Sequence, residues 1–375
     1  MKKMNGEVKG TKKAAIRCLA VFVSAILAVT LLSVGCCQVS ATSGEKTIQN
    51  CRVSVAEVKD NYPAIYTLIS DDGYYDSGMI LNTLAQKLNM HVTVAGFSRK
   101  ITEDLEAWKE IESQGYVEVI SHSYSHKKMS EDNTVTDDEL YREIYTSRVF
   151  TENTFGKPII GFVCPNNEMT ERGYAFLNEA GYFAVRRGTR GENPINPEEG
   201  NEPFQWFNLG CRGIGDVQST AERNAWLDSA INNGTWLIEM WHNISPAGDS
   251  GYQPISTAMA QEHLEYVAYQ RSQGNVWIAS YQDAVRYLRE KQNAQVQIVE
   301  TDEKEVVLNL TCDRDKLPLE TFHDPLTLNV QIPRNWNYVF VFQNGSACEV
   351  TRLDDSTVSF NAVPDGGEIT IRGLE

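Results

Sequence analysis

Two histidines four residues apart, His122 and His126, close the stretch VEVISHSYSHKKM (Val117–Met129) in a chain that has only six histidines. Imidazole nitrogens suit zinc and similar divalent ions, and two histidines with one carboxylate leave coordination positions open for water and substrate. The competing reading is a pair of exposed loop histidines. VEVIS has the character of a strand, and four-residue spacing aligns side chains on one face only in a helix. The carboxylate would come from SDDG, Ser70–Gly73, where Asp71 and Asp72 leave an apolar run. Adjacent carboxylates there repel and lose hydration unless a cation relieves them, although Asp-Gly is also ordinary turn chemistry. His242 follows the apolar run WLIEMW, a place that suits proton transfer. His91 begins a strand, His263 lies in a helix and His323 lies beyond this region, so those three take structural readings.

Such residues need a frame that brings them together. Ala64–Ser70 reads as a strand and Gly78–Leu88 as a helix; His91–Phe97 and Glu103–Gln114 repeat the pattern. Val117–Ser121 precedes an amphipathic stretch, Asp137–Phe155, with Thr136 as its N-cap. Ile159–Val163, Tyr182–Arg186, Trp236–Trp241 and Val276–Ile278 supply further strands, separated by the helical patterns Thr170–Ala180, Ala258–Gln273 and Asp283–Lys291. Repeated strand–helix units imply a parallel sheet, and this number of them implies closure into a distorted (β/α) barrel. Functional residues of such a barrel lie at the C-terminal strand ends. Those ends here are SDDG, SHSYSH, CPNN and His242.

From about residue 295 the texture changes to short alternating runs such as EVVLNL, LTLNVQI and NYVFVFQ, with turn signals between them, which predicts a small all-β sandwich. Trp336, Tyr338, Phe340 and Phe342 fall at every second position and so share one face. They are expected to be its buried face, with sugar stacking as the other reading. Five cysteines lie beyond residue 41, widely spread and without metal-type spacing, and only Cys312–Cys348 could pair.

The N-terminus reads as a secretory signal: six Lys/Arg before an apolar run, Cys18–Val34, then VSA at Val39–Ala41. An uncleaved anchor and a lipidated Cys36 are the other readings. The expected organisation is a signal peptide at 1–41, a lead-in at 42–59, a barrel at 60–293 and a sandwich at 294–375, in a secreted or cell-surface protein. Net charge is −16, and losing 1–41 would make the chain more acidic. That excludes nucleic acid as a natural partner and leaves the membrane only through the N-terminus. Nothing in the sequence sets an oligomeric state.

The chain resembles the polysaccharide deacetylases, carbohydrate esterase family 4, which include chitin-oligosaccharide and peptidoglycan deacetylases. SDDG is similar to their first motif, HSYSH to the second (His-Ser/Thr-x-x-His), and LIEMWH to the last; the similarity runs over about residues 60–291. By that resemblance Asp72, His122 and His126 would hold a divalent metal ion, with zinc expected, and Asp71 would be the catalytic base. His242 would protonate the leaving amine. The implied activity removes N-acetyl or O-acetyl groups from a glycan such as chitin-like polymers or peptidoglycan. The family's third motif supplies an arginine that orients the base, but the matching stretch Phe162–Asn167 has none. Arg186, ending the next strand, is the candidate replacement. For the fourth motif, an Asp with a nearby Trp, Trp206 is the candidate. An amidohydrolase acting on a non-sugar amide and a non-catalytic carbohydrate-binding relative are the alternatives.

Overall fold

The computed structural model describes residues 51–195, 205–213, 215 and 219–375. The expected signal peptide lies outside them. Among the described residues no helix is long and apolar enough to cross a membrane.

A short strand, β1 (Val53–Val55), precedes the barrel. Strand β2 (Ile65–Asp72) is buried along its whole length, as a strand covered on both faces must be. The chain then alternates through α1 (Tyr75–Leu88), β3 (Val92–Gly96), α2 (Ser98–Glu103), α3 (Leu105–Ser113) and β4 (Val117–Ser121). The expected amphipathic stretch forms α4 (Asp137–Tyr141), a π-helical turn at Arg142–Thr146 and α5 (Ser147–Phe155). Thr136 caps it in a full capping box with Glu139. After these come β5 (Gly161–Val163), α6 (Glu171–Glu179), β6 (Ala184–Arg190), β7 (Asn193–Pro194), β8 (Leu209–Gly213), α7 (Thr220–Asn233) and β9 (Thr235–Trp241). A small β10–β11 pair (Ile244–Ser245, Ile255–Ser256) leads to α8 (Thr257–Ser272), β12 (Trp277–Ile278) and α9 (Tyr281–Asn293).

Seven parallel strands close on themselves in the order β2, β3, β4, β5, β6, β8, β9 and back to β2. The expected barrel is the observed one. Side chains alternate between the two faces of a strand, and this parity sorts the core. Tyr66, Leu68, Val92, Val94, Val117 and Val119 face outward against Leu81, Trp108, Leu227 and Leu264 of the helices. Ile65, Ile69, Ala95, Ile120, Ala184, Trp236 and Ile238 share the inner cluster with Tyr281, Ala284 and Leu288 of α9. Continuing the inner parity by two residues reaches Asp71, His122, Arg186 and, from Met240, His242. One rule of strand geometry thus points four polar side chains into one end of the barrel. Register sets their height: Asp72 pairs with Gly96, Gly96 with Ser121, Ser121 with Phe162, Val163 with Arg186, and Ser70 with Trp241.

The last helix runs directly into β13 (Ala294–Thr301), followed by β14 (Glu305–Cys312), β15 (Leu326–Gln331), β16 (Tyr338–Gln343), β17 (Ser346–Cys348), β18 (Val350–Asp354), β19 (Thr357–Ala362) and β20 (Ile369–Leu374). Two sheets, ordered β1-β15-β19-β18 and β13-β14-β20-β16-β17, enclose a core of Leu308, Leu328, Val330, Phe360 and Ile371. Strand β1, within what reads from sequence as a lead-in, is thus an edge strand of the sandwich, with Val53 opposite Val330. Leu317, Phe322 and Leu326 also join the barrel's inner cluster, so the sandwich braces the barrel.

Two sequence expectations fail here. The aromatic stripe is not a buried face: only Trp336 is buried, while Tyr338 and Phe340 are 65% and 48% exposed. Their neighbour Val341 takes the core side at 1% exposure. Alternation is visible in sequence, but which of two apolar sets turns inward is decided by the opposing sheet. Cys312 and Cys348 are both free thiols. They end β14 and β17, three strand positions apart in one sheet, which at the usual strand spacing of about 4.8 Å separates them by at least about 14 Å, too far for a disulfide.

Candidate active site

The C-terminal rim collects every polar strand end singled out above. Asp72 leaves β2 with φ of 74°, a left-handed conformation that turns its carboxylate towards the β4 exit. His122, 1% exposed, has its Nδ1 2.8 Å from the Val163 carbonyl oxygen. A carbonyl only accepts, so Nδ1 of His122 carries a proton, and Nε2, which faces Asp72, is the nitrogen that would ligate a metal. Nε2 of His122 and Nε2 of His126 lie 3.5 and 3.2 Å from Asp72 Oδ1.

The three donor atoms lie within 4.8 Å of one another, and among the described residues they form the only such cluster of three or more His, Cys, Asp or Glu side chains. The donor set fits a divalent ion: two imidazole nitrogens and one carboxylate oxygen converge, with one imidazole oriented by a backbone carbonyl behind it. Burial opposes the ionisation of Asp72, but hydrogen bonds and charge from His122 and His126 outweigh it and hold the carboxyl far below the usual range. For His126, burial favours the neutral ring, and the Asp72 carboxylate overrides this and raises its pKa.

Asp71 sits beside this cluster on the inner face, 3% exposed. Arg186, fully buried, donates from Nη2 to Asp71 Oδ2 at 2.5 Å. The guanidinium also reaches Asn167 Oδ1 and Cys211 Sγ through Nη1, at 3.3 and 3.4 Å. Burial works against its charge, yet Asp71 and Cys211 more than compensate and keep Arg186 protonated. Asp71 Oδ1 is buried without a hydrogen-bond partner, which leaves one oxygen of an oriented carboxylate available to accept a proton. Arg186 comes from β6, the strand that neighbours β5, whose own exit carries no arginine.

His242 is 8% exposed, and its Nδ1 has no hydrogen-bond partner. Ser70 Oγ donates to its carbonyl at 3.1 Å and fixes the chain at that point. Burial lowers its pKa, with the charges of Asp71 and Asp72 acting in the opposite sense.

Asp71, Asp72, His122, His126, Arg186 and His242 thus meet at one rim. Trp206 does not join them: Arg289 stacks on its ring at 4.2 Å and its Nε1 donates to Gln292, both on α9. His263 is buried in an internal network with Glu239 at 3.0 Å and Asn224 at 2.7 Å, as its structural reading anticipates. Three aromatic residues went unread. Burial raises the pKa of Tyr74, and the charge of Asp72 and a hydrogen bond to it act in the same direction. The Phe97 ring lies 5.6 Å from that of His126, and Tyr252 stands edge-on to His242 at 4.8 Å. Tyr74 and Phe97 sit just past strand ends and were open to the same rim logic. Tyr252 comes from a loop ten residues beyond His242 and carries no sequence signal.

A family model described as polysaccharide deacetylase matches residues 60–185. A gellan lyase from Bacillus sp. is 22% identical over 360 residues, covering 88% of this chain and 14% of that protein, so the chain spans about one seventh of its curated relative. Among solved structures, a family 4 carbohydrate esterase from Streptomyces lividans in complex with acetate is 13% identical, with a TM-score of 0.40 over 57% of this chain and 90% of that one. A mutant peptidoglycan deacetylase from Bacillus subtilis is 12% identical, with a TM-score of 0.41 over 61% and 93%. A CE4 family pseudoenzyme from Bacillus anthracis is 14% identical, with a TM-score of 0.42 over 59% and 65%.

Proposed function

With residues 60–185 belonging to the polysaccharide deacetylase family, we propose that the chain is a secreted, metal-dependent hydrolase that removes N-acetyl groups from a glycan. The observation that carries this reading is the convergence of Asp72, His122 and His126 next to the buried Asp71–Arg186 pair. A divalent ion held by those three side chains, with zinc favoured by the His-His-Asp donor set, would polarise the acetyl carbonyl and acidify water.

The chain's own residues divide the proton chemistry. Asp71, held by Arg186 through Oδ2, takes the proton of the attacking water on its unpartnered Oδ1. Arg186 holds that carboxylate pointed inward. His242, across the rim, gives a proton to the departing amine. The products are acetate and a free amino sugar. Tyr252, 57% exposed beside His242, offers a flat apolar face on which a sugar ring can stack. Secretion rests on the leader pattern of residues 1–41.

The decisive experiment combines metal analysis of the purified protein with acetate release from defined N-acetylated chitooligosaccharides and peptidoglycan fragments. The expected result is one divalent ion per chain and acetate release that Asp71→Asn abolishes while the metal stays bound. A protein that binds no divalent ion sinks the reading, and release from non-sugar acetamides alone reassigns the substrate.

A further inference from the structure

The segment that carries both imidazoles holds an improbable backbone shape. Ser123 and His126 have φ of 69° and 61°, the left-handed region that side-chain-bearing residues seldom occupy. Such a loop persists only when its surroundings over-determine it. One tie is internal: His126 N–H donates to Ser123 Oγ at 3.0 Å. Two more come from α2, where Ser98 and Arg99 N–H groups donate to the carbonyls of Ser123 and Tyr124 at 3.1 and 3.0 Å.

The remaining ties converge on one side chain. Glu143 is completely buried, in the π-helical turn Arg142–Thr146. Its Oε2 accepts from Ser125 N–H at 2.8 Å and its Oε1 from Ser125 Oγ at 2.6 Å. Its own backbone carbonyl accepts from Tyr124 N–H at 3.1 Å. One turn on, Ser147 Oγ contacts Ser121 Oγ at 2.7 Å. Glu143 and Ser147 therefore grip the residues on either side of the loop's first half, with His122 between them. Among the described residues Glu143 makes one ion pair, with Arg142 at 3.8 Å, and that side chain is largely exposed, so the short contacts of the carboxylate go to the loop. The π turn explains how a helix achieves this, because the wider turn rotates an acid onto its buried side.

We infer that Glu143 is a positioning residue that sets the separation of His122 and His126 by clamping Ser125 between them. The inference rests on the metal reading of those histidines. Glu143 touches no donor atom of the cluster; it acts through the loop backbone.

The test is the affinity for Zn²⁺ of the full chain, read by competition with a chromophoric chelator, alongside circular dichroism and thermal melting. Glu143→Ala is expected to bind Zn²⁺ about 10- to 100-fold more weakly, the range found when an outer partner of a ligand is removed. Glu143→Gln can still accept from Ser125 N–H and donate to Ser125 Oγ, so it should restore affinity to within a few-fold. In acetate release, saturating Zn²⁺ should recover most of the kcat of Glu143→Ala with KM unchanged, which a merely destabilised fold would not do. If Glu143→Ala does not fold, Glu143→Asp decides, since it keeps the charge but withdraws it from Ser125. Native-like Glu143→Ala with wild-type Zn²⁺ affinity, or native-like Glu143→Asp with that affinity where the alanine variant does not fold, overturns the inference. Wild-type protein that binds no Zn²⁺ overturns the metal reading on which it rests, a separate result.

Discussion

The two ends of the barrel are built from the same strands and could hardly differ more in chemistry. Two clefts lie at the N-terminal end: one of about 310 Å³ lined by His91, Glu118, Asp283 and Arg286, and an adjoining one of about 340 Å³ that shares His91 and Asp283. Charges there are already spent on one another. Arg286 bridges Asp283 and Asp324 at 2.5 and 2.9 Å, His91 leans on Asp283 at 3.7 Å, and Glu118 accepts from Ser280 and the Gln282 backbone. At the C-terminal rim the polar atoms instead converge on common points, and Asp71 Oδ1 and His242 Nδ1 lack partners altogether. Volume marks where space is; the convergence of donor atoms on one point marks where chemistry is. In a parallel barrel the second criterion is the one that finds the site.

Substitutions can break that contrast, beginning with the largest expected effect. His122→Ala should remove metal binding and acetate release together, measured by metal stoichiometry and product assay; retention of either places the centre elsewhere. Asp71→Asn should lower kcat by about 10²- to 10⁴-fold, the usual worth of a general base, with metal content unchanged. Arg186→Ala leaves the Asp71 carboxylate buried and unpaired, which costs about 3–5 kcal/mol and should appear as a lower denaturant midpoint along with lost turnover. Unchanged turnover would free Asp71 from any need of Arg186.

The lower end and its seam with the sandwich give smaller effects. Burial pushes the Glu290 carboxyl up to about 7. An acid whose folded pKa exceeds its unfolded value favours the fold while protonated, so this group erodes stability as pH rises from about 4.5 to 7. Glu290→Gln should therefore raise Tm at pH 8 and do little at pH 4; an equal shift at both pH values would remove the titration argument. His91→Ala, at the charged cleft, should alter stability by no more than about 0.5 kcal/mol and leave acetate release untouched. A large loss of turnover there would dissolve the contrast between the two ends.

Much of the site was legible because strand periodicity and barrel polarity act on sequence directly. Asp71, Asp72, His122, His126 and His242 each follow an apolar run, and reading only strand exits isolates them. Arg186 was legible only through the family resemblance, which calls for an arginine beside the base and left the end of the next strand to supply it. Glu143 was not read, although a trace of it was present. Leu140, Ile144 and Thr151 form the buried stripe of that helix, and an acid among them at position 143 is a polar group that needs an internal partner. The π turn that places it has no sequence signature. The outward turn of Tyr338 and Phe340 escaped because β16 is apolar on both sides. Strand β1 escaped because three residues cannot establish a period.

That last strand has a consequence for how the molecule comes apart. Because Val53–Val55 pairs with β15 while α9 passes without a break into β13, the barrel segment is spliced into the sandwich at both of its ends. Neither part can melt without tearing a sheet edge or the shared cluster around Phe322 and Leu326. Calorimetry of residues 51–375 should therefore record a single cooperative transition. A cut at residue 294 should yield two fragments that are each incomplete, one lacking its floor and the other an edge strand.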